Sequence, residues 1–269
     1  MLKKIASKFS SMKYAVIGNF TIDIINGKKR PGGGAYYSGL VLSKYAKVTV
    51  YAKIGPEYPE EWIRDIERYV KVIPFPADST TSFELVYEGE SRVLRVLSKG
   101  EQFTLRELNS IKERRVIVNP VSGEIRPEHL TVFKNPSLDV QGFVRELKDK
   151  VEIKNVDGSF LNNCNIVHAS AEEYKALVNP GTPNILAVTN GSRGGVLKLR
   201  DGREIKFEPK RVHTENPTGA GDAFLALLVY GIDSFGIEEG LRFAIDETAK
   251  FLKLGLKNYL DRDDDASIG

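Results

Sequence analysis

The sequence predicts a three-layer α/β fold, a mostly parallel sheet flanked by helices, with a small β-hairpin lid. Three observations carry this expectation. Short apolar strands alternate with helical periodicity along most of the chain; two adjacent β-rich segments interrupt that alternation; and a glycine-rich turn opens a long amphipathic helix near the C-terminal end.

Taken in order, Lys13 to Gly18 reads as the first strand and Gly34 to Tyr45 as a helix, with Val48 to Ile54 the next strand and Pro59 to Arg68 a helix with proline near its first turn. Ser82 to Tyr87 and Arg92 to Leu97 then face each other across Glu88-Gly89-Glu90-Ser91, which predicts an antiparallel hairpin, and Ile22 to Ile25 supplies a further short strand beside it. A hairpin rising from the open edge of a parallel sheet forms a lid over the crevice at the strands' carboxyl ends. Later strands are predicted at Arg115 to Val118, Leu138 to Val140, Ile166 to Ala169, Ile185 to Thr189 and Gly195 to Leu199, with a β-turn-β segment through Asp201-Gly202 to Ile205–Phe207. Two helices close the chain. Ala220, Phe224, Leu227 and Leu228 share one face of the first, which Gly231 is expected to stop; the second runs from Ile237 to a cap at Gly255. The organisation expected is therefore one α/β domain over residues 12–260 with lid strands at about 22–25 and 82–97, an extension at 1–11 and an acidic tail at 261–269.

Composition narrows the function classes. The 269 residues suffice for one large core, and 39 basic against 36 acidic side chains, spread along the chain, give no footprint for nucleic acid. No run approaches a membrane span, and residues 1–11 lack a signal-peptide core. The single cysteine, Cys164, fits a buried position in a reducing compartment, so a cytoplasmic protein is expected, monomeric or homodimeric, acting on a small molecule.

The most informative stretch is Asn216-Pro217-Thr218-Gly219-Ala220-Gly221-Asp222. Small residues at a helix N-terminus expose backbone N–H groups that can cradle a phosphoryl group, and Asp222 sets a carboxylate in the same turn. His213 precedes the turn with no Cys or His cluster around it, which disfavours zinc.

With Gly18-Asn19-Phe20-Thr21-Ile22-Asp23, the run Gly32-Gly33-Gly34 before a helix, Lys53-Ile54-Gly55 and Thr189-Asn190-Gly191, this turn resembles the motifs of the ribokinase-like, or PfkB, carbohydrate kinases in order and spacing over nearly the whole chain. The resemblance implies ATP-dependent, Mg²⁺-assisted phosphorylation of a hydroxyl on a small sugar, polyol or nucleoside. Asp222 then corresponds to the base, and Gly219, Ala220 and Gly221 to the amides that receive the transferring group. It implies substrate contacts from Asn19, Asp23, Gly33, Gly34, Tyr37 and Asp139, with Asn19 also holding the loop after the first strand. Thr189, Gly191, Arg193 and Asn216, with Gly219 and Gly221, would meet the nucleotide, and Glu173 would order the magnesium through water.

Three positions depart from the family pattern. Tyr37 stands where Asn is usual, so it either packs against substrate or belongs to the helix core. Asn216 replaces Asp and leaves dependence on a monovalent cation open. Ser170-Ala171-Glu172-Glu173 stands at the Asn-x-x-Glu element and equally reads as a capping box for a helix through Leu177. These departures keep a second reading in play, a ribokinase-like ligand-binding or regulatory protein with impaired turnover. A dinucleotide-dependent oxidoreductase is disfavoured, because Gly32 to Gly34 neither follows the first strand directly nor has the Gly-x-Gly-x-x-Gly spacing.

Overall fold

The computed structural model describes residues 12–88, 91–214 and 216–261. The expected 1–11 extension, the centre of the expected hairpin turn and the expected acidic tail beyond Asp261 lie outside the described residues.

The chain begins with β1 (Lys13–Ile17), β2 (Thr21–Ile25) and β3 (Lys28–Gly32), then α1 (Gly34–Leu42), β4 (Lys47–Ile54), α2 (Glu60–Glu67) and β5 (Lys71–Pro76). The hairpin β6 (Thr81–Glu88) and β7 (Ser91–Ser98) is followed by α3 (Leu105–Asn109), β8 (Arg115–Val118), β9 (Ser137–Asp139) and α4 (Gln141–Val144). A small ribbon of β10 (Arg145–Leu147) and β11 (Val151–Ile153) precedes β12 (Val156–Asp157), β13 (Ile166–Ser170), α5 (Ala171–Lys175) and β14 (Leu177–Val178). The chain continues through β15 (Ile185–Thr189), β16 (Gly195–Leu199) and β17 (Glu204–Phe207) to α6 (Ala220–Phe235) and α7 (Ile237–Asp261), which is broken at Gly255.

Nine strands form the main sheet in the order β17-β16-β15-β13-β9-β8-β1-β4-β5, parallel except at β16 and β17. Residues of alternate parity enter two separate cores, as the period of two requires. Tyr14 and Val16 of β1 join Ile117, Ile185 and Ala187 on the face covered by α1, α6 and α7. Ala15 and Ile17 join Val116, Val118, Leu186 and Val188 on the other. Both faces are therefore buried, which explains why these strands are apolar almost throughout.

The lid is a sheet of its own, in the order β3-β2-β6-β7. β2 pairs antiparallel with β3 and parallel with β6, and β6 returns antiparallel to β7. Phe83 on β6 is buried against Val121 and Leu147, with Leu94, Val96 and Val151 packed around them, and this satellite core seats the lid on the loop after β8 and the β10–β11 ribbon.

Gly231 does not stop α6. The helix continues to Phe235 and ends at Gly236, whose φ of 84° gives the left-handed break. Gly231 is a packing residue instead: a Cβ there would come within 2.6 Å of the Gly240 carbonyl oxygen, so the absent side chain lets α6 and α7 touch backbone to backbone. At the other helical glycine the expectation holds in part, since Gly255 breaks α7 at φ 72° but a further turn carries it to Asp261. The helix expected through Leu177 ends at Lys175, because Leu177 and Val178 pair with β12. Among the described residues no helix is long and apolar enough to cross a membrane.

Candidate active site

Strand ends and one helix mouth converge beneath the lid. A cavity of about 370 Å³ is lined by Asp23, Ile24 and Ile25 of β2, by Gly33, Gly34 and Tyr37 at the start of α1, and by Phe83, Leu85 and Leu94 of the lid. Val121, Gln141 and Arg145 close it from the sheet side, and Thr218, Gly219 and Asp222 form its far wall.

The far wall is the signature turn. Asn216 accepts the Thr218 N–H on its own Oδ1 at 3.1 Å, an Asx turn that fixes the entry. Gly219 then caps α6 at φ 83°, a conformation that disfavours any Cβ, and an added Cβ would stand 2.4 Å from the Tyr37 ring. Tyr37 therefore lies directly on the turn. Of the three amides expected to receive an anion, that of Ala220 is spent on the Pro217 carbonyl at 3.2 Å; the Gly221 amide and, beside it, that of Asp222, which was not among those expected, lie in the first turn of α6, where helix geometry leaves N–H groups without intrahelical acceptors.

Asp222 is held by residues from three other elements. Its Oδ1 accepts from Asn119 Nδ2 at 2.9 Å and Gln141 Nε2 at 3.2 Å; its backbone carbonyl accepts from Ser38 Oγ, which in turn accepts from Asn119. Burial and then the nearby Asp139 carboxylate push Asp222 up to about 6, against the lowering influence of the Asn119 hydrogen bond, Arg145 and His168. The result is a carboxylate oriented by amides and raised towards neutrality, at the wall shared by cavity and anion turn. Such a group can take up and release a proton near pH 7.

Of the expected site residues, Asp23, Gly33, Gly34, Tyr37, Gly219 and Asp222 line the one cavity. Two expected contacts do not reach it. Asn19 is buried below, its N–H donating to Glu124 Oε1 and its Nδ2 to the Glu101 carbonyl, so it braces the loop after β1. Asp139 is also buried; its oxygens hold the Gln141 N–H and the His168 ring. Thr189 touches His168, whereas Gly191 and Arg193 lie exposed on the loop after β15, Arg193 donating to Asn190 Oδ1.

Glu173, expected to order magnesium through water, is held by the protein itself. Its Oε2 accepts the Ser170 N–H in a completed capping box, and its Oε1 faces Arg145 Nη2 at 3.4 Å, so both oxygens are engaged in holding the α5 mouth and steering Arg145. Among the described residues no three His, Cys, Asp or Glu side chains are grouped so as to hold a metal ion.

Sequence reasoning missed Gln141 and Ser38 as partners of Asp222 and missed His168 altogether. His168 carried a signal: it is the one imidazole inside an otherwise apolar strand, Ile166-Val167-His168-Ala169, where a buried polar group needs a partner.

Residues 158–246, which include α5, the β15–β17 sheet edge and the signature turn, match the pfkB family carbohydrate kinases. That segment, about a third of the chain, is similar to this family. Among curated proteins the chain is 23% identical over 271 residues to a cytidine kinase of Thermococcus kodakarensis, with 88% of this chain and 95% of that protein covered. It is likewise 23% identical to an inositol 3-kinase of Arabidopsis thaliana, over 84% of this chain and 69% of that one. A solved pyrophosphate-dependent kinase of the ribokinase family, complexed with a pyrophosphate analogue and myo-inositol, shares the fold at a TM-score of 0.77 and 22% identity, covering 89% of this chain and 94% of its own. Two further solved structures of similar likeness also come from pyrophosphate-dependent kinases.

These likenesses correct the donor expected from the resemblance. Kinases of this fold, as similar to the chain as any reported above, use pyrophosphate, so neither the fold nor the glycine turn specifies ATP. The assignment as an ATP-dependent kinase is withdrawn, and with it ATP and magnesium as the cofactor set.

Proposed function

We propose that this protein transfers a phosphoryl group from inorganic pyrophosphate to a hydroxyl of a small cyclic polyol of the inositol type. The observation that carries this reading is the position of Asp222, a raised carboxylate between a lid-covered cavity of about 370 Å³ and the N-terminal mouth of α6. The pyrophosphate-dependent fold relatives and the inositol kinase among the curated ones support the donor and acceptor classes.

In the reaction the acceptor lies under β2 and β6, its hydroxyls meeting Asp23 and Arg145. Asp222 accepts the proton of the attacking hydroxyl as its oxygen bonds to one phosphorus. The bridging P–O bond breaks and inorganic phosphate leaves. The Gly221 and Asp222 amides, with the N-terminal end of the α6 dipole, stabilise charge on the migrating group. A compact donor with no base or ribose needs only this mouth and the neighbouring end of β15. The apolar lid residues exclude water, which suppresses hydrolysis of the donor.

The test is a matched screen by product mass: myo-inositol, ribose and cytidine as acceptors, each with pyrophosphate and with ATP. Formation of an inositol monophosphate with pyrophosphate as the better donor is expected. A product formed only with ATP, or only from cytidine, would defeat this reading.

A further inference from the structure

Three neighbouring strand ends carry a polar row that the reaction as written does not use. In the register of β9 and β13, Asp139 stands opposite His168, and β15, on the other side of β13, ends at Thr189. Asp139 Oδ2 lies 2.6 Å from His168 Nδ1, and His168 Nε2 lies 2.9 Å from Thr189 Oγ1. Asp139 and His168 are only 3% and 4% exposed, so each depends on the other for the hydrogen bonding that water would otherwise supply. The row runs under the helix mouth. His168 Cε1 is 3.1 Å from where a Cβ on Gly221 would lie, and the ring meets Phe224 edge-on at 5.8 Å.

The state of the imidazole decides what Thr189 can offer. Asp139 Oδ1 is occupied by the Gln141 N–H, so Oδ2 is the acceptor for His168 and Nδ1 carries a proton. If Nε2 is bare, the Thr189 hydroxyl spends its hydrogen on the ring and presents lone pairs to whatever lies beyond. If Nε2 also carries a proton, the ring donates to Oγ1 and the hydroxyl hydrogen is released. Carboxylates face the ring from three elements, Asp139 on β9, Glu173 on α5 and Asp222 on α6, while Arg145 is the guanidinium nearest Glu173. Burial disfavours charge on His168, but Asp139, then Glu173 and Asp222, lift it above its ordinary value.

We propose that Asp139 and His168 are positioning residues that turn the Thr189 hydroxyl into a hydrogen-bond donor for the anionic oxygens of the phosphoryl donor. The assignment rests on the pyrophosphate reading of the same site and extends it to three residues in series. Thr189, bonded to the Nε2 that neighbours the Cε1 beneath Gly221, then acts with the Gly221 and Asp222 amides on one anion.

Nitrogen-15 spectra of the histidine rings in the full chain at pH 7, with saturating inorganic pyrophosphate, test the relay without any substitution. Both ring nitrogens of His168 are expected to be protonated; a lone pair on Nε2 in that state overturns the proposal. Kinetics supply the second arm. Thr189→Val and His168→Gln should each raise KM for pyrophosphate about tenfold, the loss of one hydrogen bond to a charged group, while KM for the acceptor stays put. Because the three residues act in series, the double variant should be no worse than the worse single, and Thr189→Ser should restore the wild-type value. Additive losses, or a rise in acceptor KM of the same size, overturn the proposal. Turnover with pyrophosphate alongside a bare Nε2 defeats the relay alone, whereas a wild-type protein that neither binds nor uses pyrophosphate defeats the donor reading beneath it.

Discussion

The floor and the roof of the cavity are built from opposite materials. On the floor, Asp222, Asn119, Gln141, Asp139 and His168 are polar, mostly buried, and each is bonded to a side chain from a different strand end or helix. On the roof the surface is mainly apolar, from Ile24, Ile25, Phe83, Leu85 and Leu94, with Thr21 and Asp23 of β2 as its polar members, on a four-stranded sheet seated by a small satellite core. A parallel sheet buried on both faces can hold polar groups rigidly at its carboxyl edge, because its backbone is already satisfied and cannot compete for them. The lid has no such support. The difference teaches that the proton and the migrating charge are handled at the floor, and that fit, acceptor binding and exclusion of water belong to the roof.

The sharpest way to break this division is Asp222→Asn. The amide keeps an acceptor for Asn119 but takes no proton, so kcat should fall about 10² to 10⁴-fold with the fold retained; turnover near wild type would end the assignment of the base. Titration is the next lever. With Asp222 at about 6, kcat/KM should fall roughly tenfold per pH unit below that value and level off above it. The stability effect has the opposite sign. A carboxylate raised in the fold binds protons more tightly there than in the unfolded chain, so ionising it costs stability, beginning near the ordinary value of about 4 and complete above about 6. Asp222→Asn should therefore raise Tm at pH 8, an advantage that disappears below pH 4, as paired melting curves would reveal.

On the roof, Leu85→Ala should raise acceptor KM about tenfold and leave kcat within a factor of about two, since an apolar wall binds ground and transition states alike. A large drop in kcat instead would move the lid into the chemistry. The smallest effect belongs to Arg193→Ala. Its side chain is exposed and donates to Asn190, so pyrophosphate KM should change by no more than about twofold, the range of ordinary surface substitutions.

Legibility in the sequence followed burial. β1, β8 and β15 were readable because two covered faces force unbroken apolar runs, and the signature turn because its glycines and carboxylate have few other uses. The sequence of β3, Lys28-Lys29-Arg30-Pro31-Gly32, has nothing of a strand in it. It is an edge strand, where lysine and proline are tolerated and pairing with β2 supplies the conformation. β5 was missed for a similar reason, since Pro74 and Pro76 punctuate an outer strand of the main sheet. Gly231 misled because a glycine in a helix reads equally as a stop or as a close contact, and Gly240, nine residues on, decides between them. The site was legible as far as its motif residues went. Gln141, Ser38 and His168 were not, because their roles arise from which strand ends become neighbours, and strand order is not written locally.

Tyr37 joins the two halves of this comparison. Its ring rests on Gly219 and also lines both the acceptor cavity and a larger neighbouring hollow of about 820 Å³ between α1, α2 and the end of α7. An acceptor that shifts the phenol cannot do so without moving the mouth that receives the anion. Whatever free energy this linkage carries must be the same in either direction, so each ligand alters the hold on the other by one common factor. A single aromatic plate thus ties the occupancy of the cavity to that of the helix mouth.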